Sequence, residues 1–136
     1  MRAVALVACW SAVLLAGGCS SDAEPKSYRV SGEAKYDGKA IPYGEVLFTP
    51  DGAAGNSGPQ GFAIIKEGKY DTGTIEGKGI AGGPTVIRVT GLEKQGGKWL
   101  FDHEYKADPP RADGTFNVEV PAGAKAPPPK KVGPEI

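Results

Sequence analysis

An all-β, antiparallel sandwich of about seven short strands is the fold class this chain predicts. Three observations predict it. Short runs alternate apolar and polar with a period of two. Turn-forming pairs separate those runs every 8–20 residues or so. Beyond the N-terminal segment, no stretch keeps a helical apolar period over ten residues. Gly (21) and Pro (12) make up nearly a quarter of the 136 residues. They sit between the β-prone runs, so they read as turns rather than low complexity.

The first strand is "YRVSGEAKY". Tyr28, Val30, Ala34 and Tyr36 fall on one face; Arg29, Ser31, Glu33 and Lys35 fall on the other. Asp37-Gly38 follows, a hairpin signal because such a turn needs positive φ. In "AIPYGEVLFTP", Val46 and Phe48 oppose Glu45 and Thr49, and Pro42 and Pro50 bracket the strand. Residues 51–61 form a loop rich in turn formers. "FAIIKEGKYDT" reads as a strand, a Glu67-Gly68 turn and a short return strand. "GTIEGKGIAGGP" is an irregular, flexible bend. In "TVIRVTG", Ile87 and Val89 oppose Arg88 and Thr90. "KWLFDHEYKADPPRADG" holds a short strand at 99–105, then a loop. "TFNVEV" closes the domain, with Phe116, Val118 and Val120 inward.

Composition narrows the functional classes. Sixteen Lys+Arg balance sixteen Asp+Glu. No basic face or aromatic–basic interleaving points to nucleic acid. Length implies one folded domain. Its two cysteines, Cys9 and Cys19, both lie before the first strand, so the domain itself has no disulfide and no thiolate metal site.

The N-terminus reads as an export signal. Met1-Arg2 precedes an apolar run from Ala3 to Ala16, too short for a membrane crossing of ~20 residues but suited to the core of a signal peptide. Gly17, Gly18 and Cys19 end it. This pattern resembles the lipobox of bacterial lipoproteins, in which diacylglycerol is attached to the cysteine sulfur and the chain is cut just before it. The resemblance implies a signal peptide over 1–18, a cleavage flank at Gly17 and Gly18, and a lipidated Cys19. It departs from the family at Ala16, where Leu is preferred; Leu15 sits one place early. Residues 19–27 then form a lipidated tether. Ser20, rather than an aspartate, implies an outer-membrane destination in cells that have one. The alternatives are an ordinary cleaved signal peptide, giving a soluble secreted protein, and a buried N-terminal helix.

Residues 28–121 resemble the carboxypeptidase regulatory-like domain, an immunoglobulin-like or transthyretin-like (prealbumin-like) sandwich found in many bacterial surface lipoproteins. Val30, Gly32, Tyr36 to Lys39, Gly44, Val46, Phe48, Pro50 and Gly68 to Tyr70 carry the resemblance; the region after Gly91 does not. In that family the domain is an accessory, structural or binding module without peptidase activity. The implied role is a non-enzymatic envelope protein that serves as a structural, adhesion or protein-interaction module. Its partners would be the membrane through the anchor and an envelope protein or polysaccharide.

Other motifs suggest chemistry. Trp99, Phe101 and Tyr105 share strand parity, so one face would gather three rings able to stack on a carbohydrate or peptide; otherwise they cap the core. Asp102-His103-Glu104 holds the only histidine. An acid–base or metal enzyme built on His103 needs distant partners, because neighbours in a strand point to opposite faces. Gly77–Gly82 fits the glycine spacing of a dinucleotide loop, but Gly82-Gly83-Pro84 forbids the helix that loop needs. Ser57 lacks the closing glycine of a nucleophile elbow, since Pro59 stands there. Asp51 and Asn56 flank a loop without the spacing of a calcium site. Pro127–Lys131, within a Pro/Lys-rich tail at 122–136, suits a groove or anionic surface, though two lysines give little attraction. No cofactor and no metal are expected.

Overall fold

The computed structural model describes residues 25–124. The expected leader, cleavage flank and Cys19 lie outside those residues, as does the tail from 125. Among the described residues nine strands form: β1 (Val30–Tyr36), β2 (Lys39–Ala40), β3 (Tyr43–Pro50), β4 (Gly61–Lys66), β5 (Lys69–Asp71), β6 (Thr85–Leu92), β7 (Trp99–Ala107), β8 (Gly114–Thr115) and β9 (Val118–Val120). The described residues are all-β, as their alternation predicts.

The strands run β2-β1-β5-β4-β3-β6-β7, each antiparallel to its neighbour. This sheet curls into a half-barrel. Two hairpins turn on Asp37-Gly38 and Glu67-Gly68. Both residues of each pair have positive φ (48° and 73°; 50° and 74°), a backbone twist that matches the strands they join. The C-terminal segment pairs differently from expectation. β8 and β9 run parallel to β1. Coming back from β7 along 108–113, the chain can meet the open side of β1 only in that sense.

β1 therefore serves two sets of partners. Its first half lies between β5 and β8, and its second half between β2 and β9. The changeover falls at Gly32. There the chain leaves β8, and Phe116 crosses directly over the glycine. A Cβ on Gly32 would overlap the carbonyl of Phe116. Tyr70 lies opposite Gly32 on β5, and its hydroxyl donates to that same carbonyl. Asn117 fills the gap in the ladder, its Oδ1 accepting the Glu33 N–H at 3.0 Å.

The inward positions form one apolar core. Val30 and Ala34 of β1, Val46 and Phe48 of β3, Ala63 and Ile65 of β4, Ile87 and Val89 of β6, and Val118 and Val120 of β9 are all buried, as the period-two reading places them. Burial of such side chains contributes about 1.5–3 kcal/mol each for the larger ones. Tyr36 stacks on Phe101 with ring centroids 4.5 Å apart, which ties β1 to the far strand β7.

Replacing Gly32 by Ala is expected to cost about 1–3 kcal/mol, since backbone rather than a flexible side chain must move. Gly114→Ala, where a Cβ meets nothing within 4 Å, should change stability by less than about 0.5 kcal/mol. Urea midpoints of the two variants check this.

Candidate functional site

β7 is the place to look for a site, because it ends the sheet. Its nine residues pair with β6 on one side and with no strand on the other among the described residues. The other strands with an open side, β2, β8 and β9, are two or three residues long. β7 is also longer than the short strand expected at 99–105.

A bulge decides which side chains β7 displays. Phe101 pairs with Gly91 and Trp99 with Leu92, so Leu100 is an extra residue without a partner. One insertion reverses the alternation. Phe101 faces inward and is fully buried, in the space that Gly91 leaves by having no Cβ. Tyr105 is half-buried against the core, and burial pushes its hydroxyl up to about 12. Trp99 turns to the outer face and is 53 % exposed, with Leu100 exposed beside it. The expectation that Trp99, Phe101 and Tyr105 share one face is thus corrected: the parity count across 99–101 assumed an unbroken strand.

Trp99 joins a different set of side chains. Following the register across the outer face, Trp99 lies beside Leu92, Leu92 beside Tyr43, Tyr43 beside Lys66, and Lys66 beside Lys69. Lys98 precedes Trp99 at the other end. Tyr43 and Leu92 are half-buried, and Lys66, Lys69 and Lys98 are exposed. Lys66 also pairs with Glu76 at 3.1 Å. Lys66 and Lys69 also line an open groove of about 820 Å³, together with Ser31, Glu33, Ile64 and the fully exposed Ile75 among others. Sequence reading did not single out Tyr43, Leu92, Lys66 or Ile75. The signal available was apolar residues at outward parity.

The other sequence candidates are held in local structure. His103 lies at inward register across from Val89, half-buried, its ring 5.7 Å from that of Tyr105. Asp102 and Glu104 lie on the opposite face, as alternation requires. Asp102 is taken by Arg88, whose Nε donates to Oδ1 at 2.9 Å; that hydrogen bond holds its carboxyl below the usual range. Among the described residues, no three His, Cys, Asp or Glu side chains gather as a metal site.

Asp51 and Asn56 are both buried and build the 51–60 loop. Asp51 caps a 3-10 turn through the Ala53 N–H at 3.1 Å and takes the Lys106 ammonium at 3.1 Å. The lysine contact lowers its pKa most. Asn56 donates from Nδ2 to the carbonyls of Gly82 (2.9 Å) and Pro84 (2.6 Å). Ser57 is exposed, and its N–H donates to Asn56 Oδ1. Gly77–Gly82 is not the free bend expected. Lys78 exchanges both backbone hydrogen bonds with Phe62, and Ile80 does so with Tyr28. β6, not a helix, follows it.

The entry to β1 is clasped. Arg29 donates from Nε to Asp71 Oδ1 at 3.0 Å and from Nη2 to Oδ2. Its N–H donates to Asp113 Oδ1 at 2.8 Å. The Arg29 hydrogen bond is the main cause that holds Asp71 down to about 2. Buried Thr72 closes the clasp with two hydrogen bonds between its hydroxyl and the Val30 backbone. Pro25 and Ser27 lie beside Pro59, Lys78 and Gly79. No helix of the described residues is long and apolar enough to cross a membrane.

Comparison with known protein families, curated proteins and solved structures finds no match.

Two outcomes follow from this geometry. Phe101→Ala is expected to cost about 3–5 kcal/mol, whereas exposed Trp99→Ala should cost less than about 0.5 kcal/mol; denaturant titration separates them. Asp71 has a depressed folded pKa. Its contribution is complete above the unfolded carboxylate value of about 3.9 and is lost as pH falls toward about 2. Asp71→Asn should therefore flatten the stability–pH curve in that acid window, as read by thermal unfolding across it.

Proposed function

We propose that this chain is a lipid-anchored, non-enzymatic module of the bacterial cell envelope, exported and held at the membrane through Cys19, that docks partners along β7. The observation that carries the docking half is the nine-residue outer strand with one side unpaired. An open edge presents a row of backbone donors and acceptors to which an extended segment of another protein can add as a further strand. Trp99 and Leu100 offer apolar cover at the start of that row.

The anchor half rests on the N-terminal pattern and on the resemblance to lipoproteins bearing a carboxypeptidase regulatory-like sandwich. The half-barrel with parity-matched core agrees with that resemblance at the level of fold class. An anchor at Cys19 also gives the domain an orientation. Cys19 to Pro25 spans at most about 21 Å when fully extended. The pole bearing Pro25, Pro59 and Lys78 then lies next to the bilayer. β6 and β7 run the length of the domain, roughly 25–30 Å for eight or nine residues, and place Trp99 at the distal pole. Two acyl chains hold such a protein stably where one does not.

Intact mass of membrane-extracted protein tests the anchor. Wild type is expected to begin at Cys19 with added hydrocarbon mass, and Cys19→Ser to leave the membrane fraction without it. Material that keeps Met1, or begins near Ser20 without added mass, overturns this half. Hydrogen exchange tests the edge. Alternate amides of 101–107 should exchange fast in the free protein and become protected in envelope extract. Protection confined to other elements argues against strand addition.

A further inference from the structure

We propose that the outer-face row Trp99–Leu92–Tyr43, with lysines at both ends, is a platform for an acidic, β-linked polysaccharide. The register assembles it: each member is the direct cross-strand neighbour of the next on β7, β6 and β3. Trp99 and Tyr43 are therefore two strands apart, roughly 9.5 Å. That is about the length of a disaccharide in a flat, β-linked chain, so two alternate sugar rings can rest on the two aromatic rings. Leu92 fills the space between them with apolar surface. Pyranose faces carry C–H groups that pack on such rings, while their hydroxyls stay in water at the rim.

Charge selects among glycans. Lys98 sits at one end of the row, and Lys66 and Lys69 sit at the other. Past Lys69 the row reaches a carboxylate, Glu33, directly across on β1, which sets the limit of the cationic end. Glu76 pairs with Lys66 from the 72–77 loop, and Glu45 lies one level further along the outer face. Carboxyl groups on a sugar chain laid across the sheet reach a cation at each end. A polypeptide strand added to β7 uses the edge of the sheet. The glycan uses its face, so the two sites are distinct. The adhesion reading above enters only in saying where such a polymer is met.

The test uses the full chain carrying Trp10→Phe, which leaves Trp99 its single tryptophan. Oligomannuronate, acidic and β-linked, is titrated while Trp99 fluorescence is read. Cellohexaose serves as the neutral counterpart and polyphosphate as a polyanion without sugar rings. Saturable quenching by oligomannuronate is expected, weakening as salt rises, with cellohexaose binding more weakly. For the variants, binding is read by affinity electrophoresis. Trp99→Ala and Tyr43→Ala should each weaken binding about tenfold or more, and Trp99→Phe should recover much of it. Glu104→Gln, on another part of the outer face, should change nothing.

Absence of saturable binding overturns the proposal. So does equal binding of polyphosphate, or lysine dependence without aromatic dependence, because either marks plain charge attraction. Quenching by extended peptides but not by glycans also overturns it. Cys19 takes no part in the assay, so its outcome is independent of the anchor.

Discussion

Everything in this domain is arranged around the crossing of Phe116 over Gly32. Among the described residues, β1 is the one strand that pairs on both sides with segments from distant parts of the chain. It can do so because the crossing chain comes within backbone distance there. Take away the space above the glycine and the C-terminal strands lose their register. The Tyr70 hydroxyl then has no carbonyl to meet, and the inward side chains of β9 no longer roof the half-barrel. Burial raises the pKa of that hydroxyl, so it remains a donor throughout the physiological range. A single backbone contact thus connects strand order, core closure and a buried polar bond.

Two poles with different chemistry follow from the strand directions. At one pole the 51–60 loop, the 78–84 segment and the Arg29 clasp are bound together by side chains reaching backbone: Asp51, Asn56 and Thr72 leave little there to move. At the opposite pole lie the two tight hairpin turns and the 93–98 loop that delivers Trp99. Side chains bound to backbone are concentrated where the N-terminal segment enters, and the exposed Trp99 and Leu100 lie at the other pole. Binding residues on a firm scaffold lose less freedom on engagement than residues on loose loops, which suits a row whose members sit on strands.

Much of the fold was legible in one dimension. Val30, Ala34, Val46, Phe48, Ile87, Val89, Val118 and Val120 announce their faces because each strand has one wet side, and period two is then forced. Asp37-Gly38 and Glu67-Gly68 announce their turns because few other pairs tolerate two positive φ values. What stayed hidden depends on registers between strands. Leu100 looks like any strand residue until its pairing shows it to be surplus, and the parity of Trp99 goes wrong with it. The parallel course of β8 and β9, the double pinning of residues 78 and 80, and the meeting of Tyr43 with Leu92 are all long-range. None leaves a local trace. The candidate site was legible only in part: the right segment was visible, but the two rings that share the outer-face row, with Leu92 between them, are not the three taken to share a face by parity.

The surplus residue at Leu100 has a consequence for how this surface can change. Removing its one codon would leave Phe101 opposite Gly91 and Trp99 opposite Leu92 as consecutive pairs of an unbroken ladder, so the bulge would vanish while the indole kept its place on the exterior. A deletion at this one position therefore straightens the edge without hiding the ring, and only closing the ladder with Leu100 kept in it would turn the indole inward.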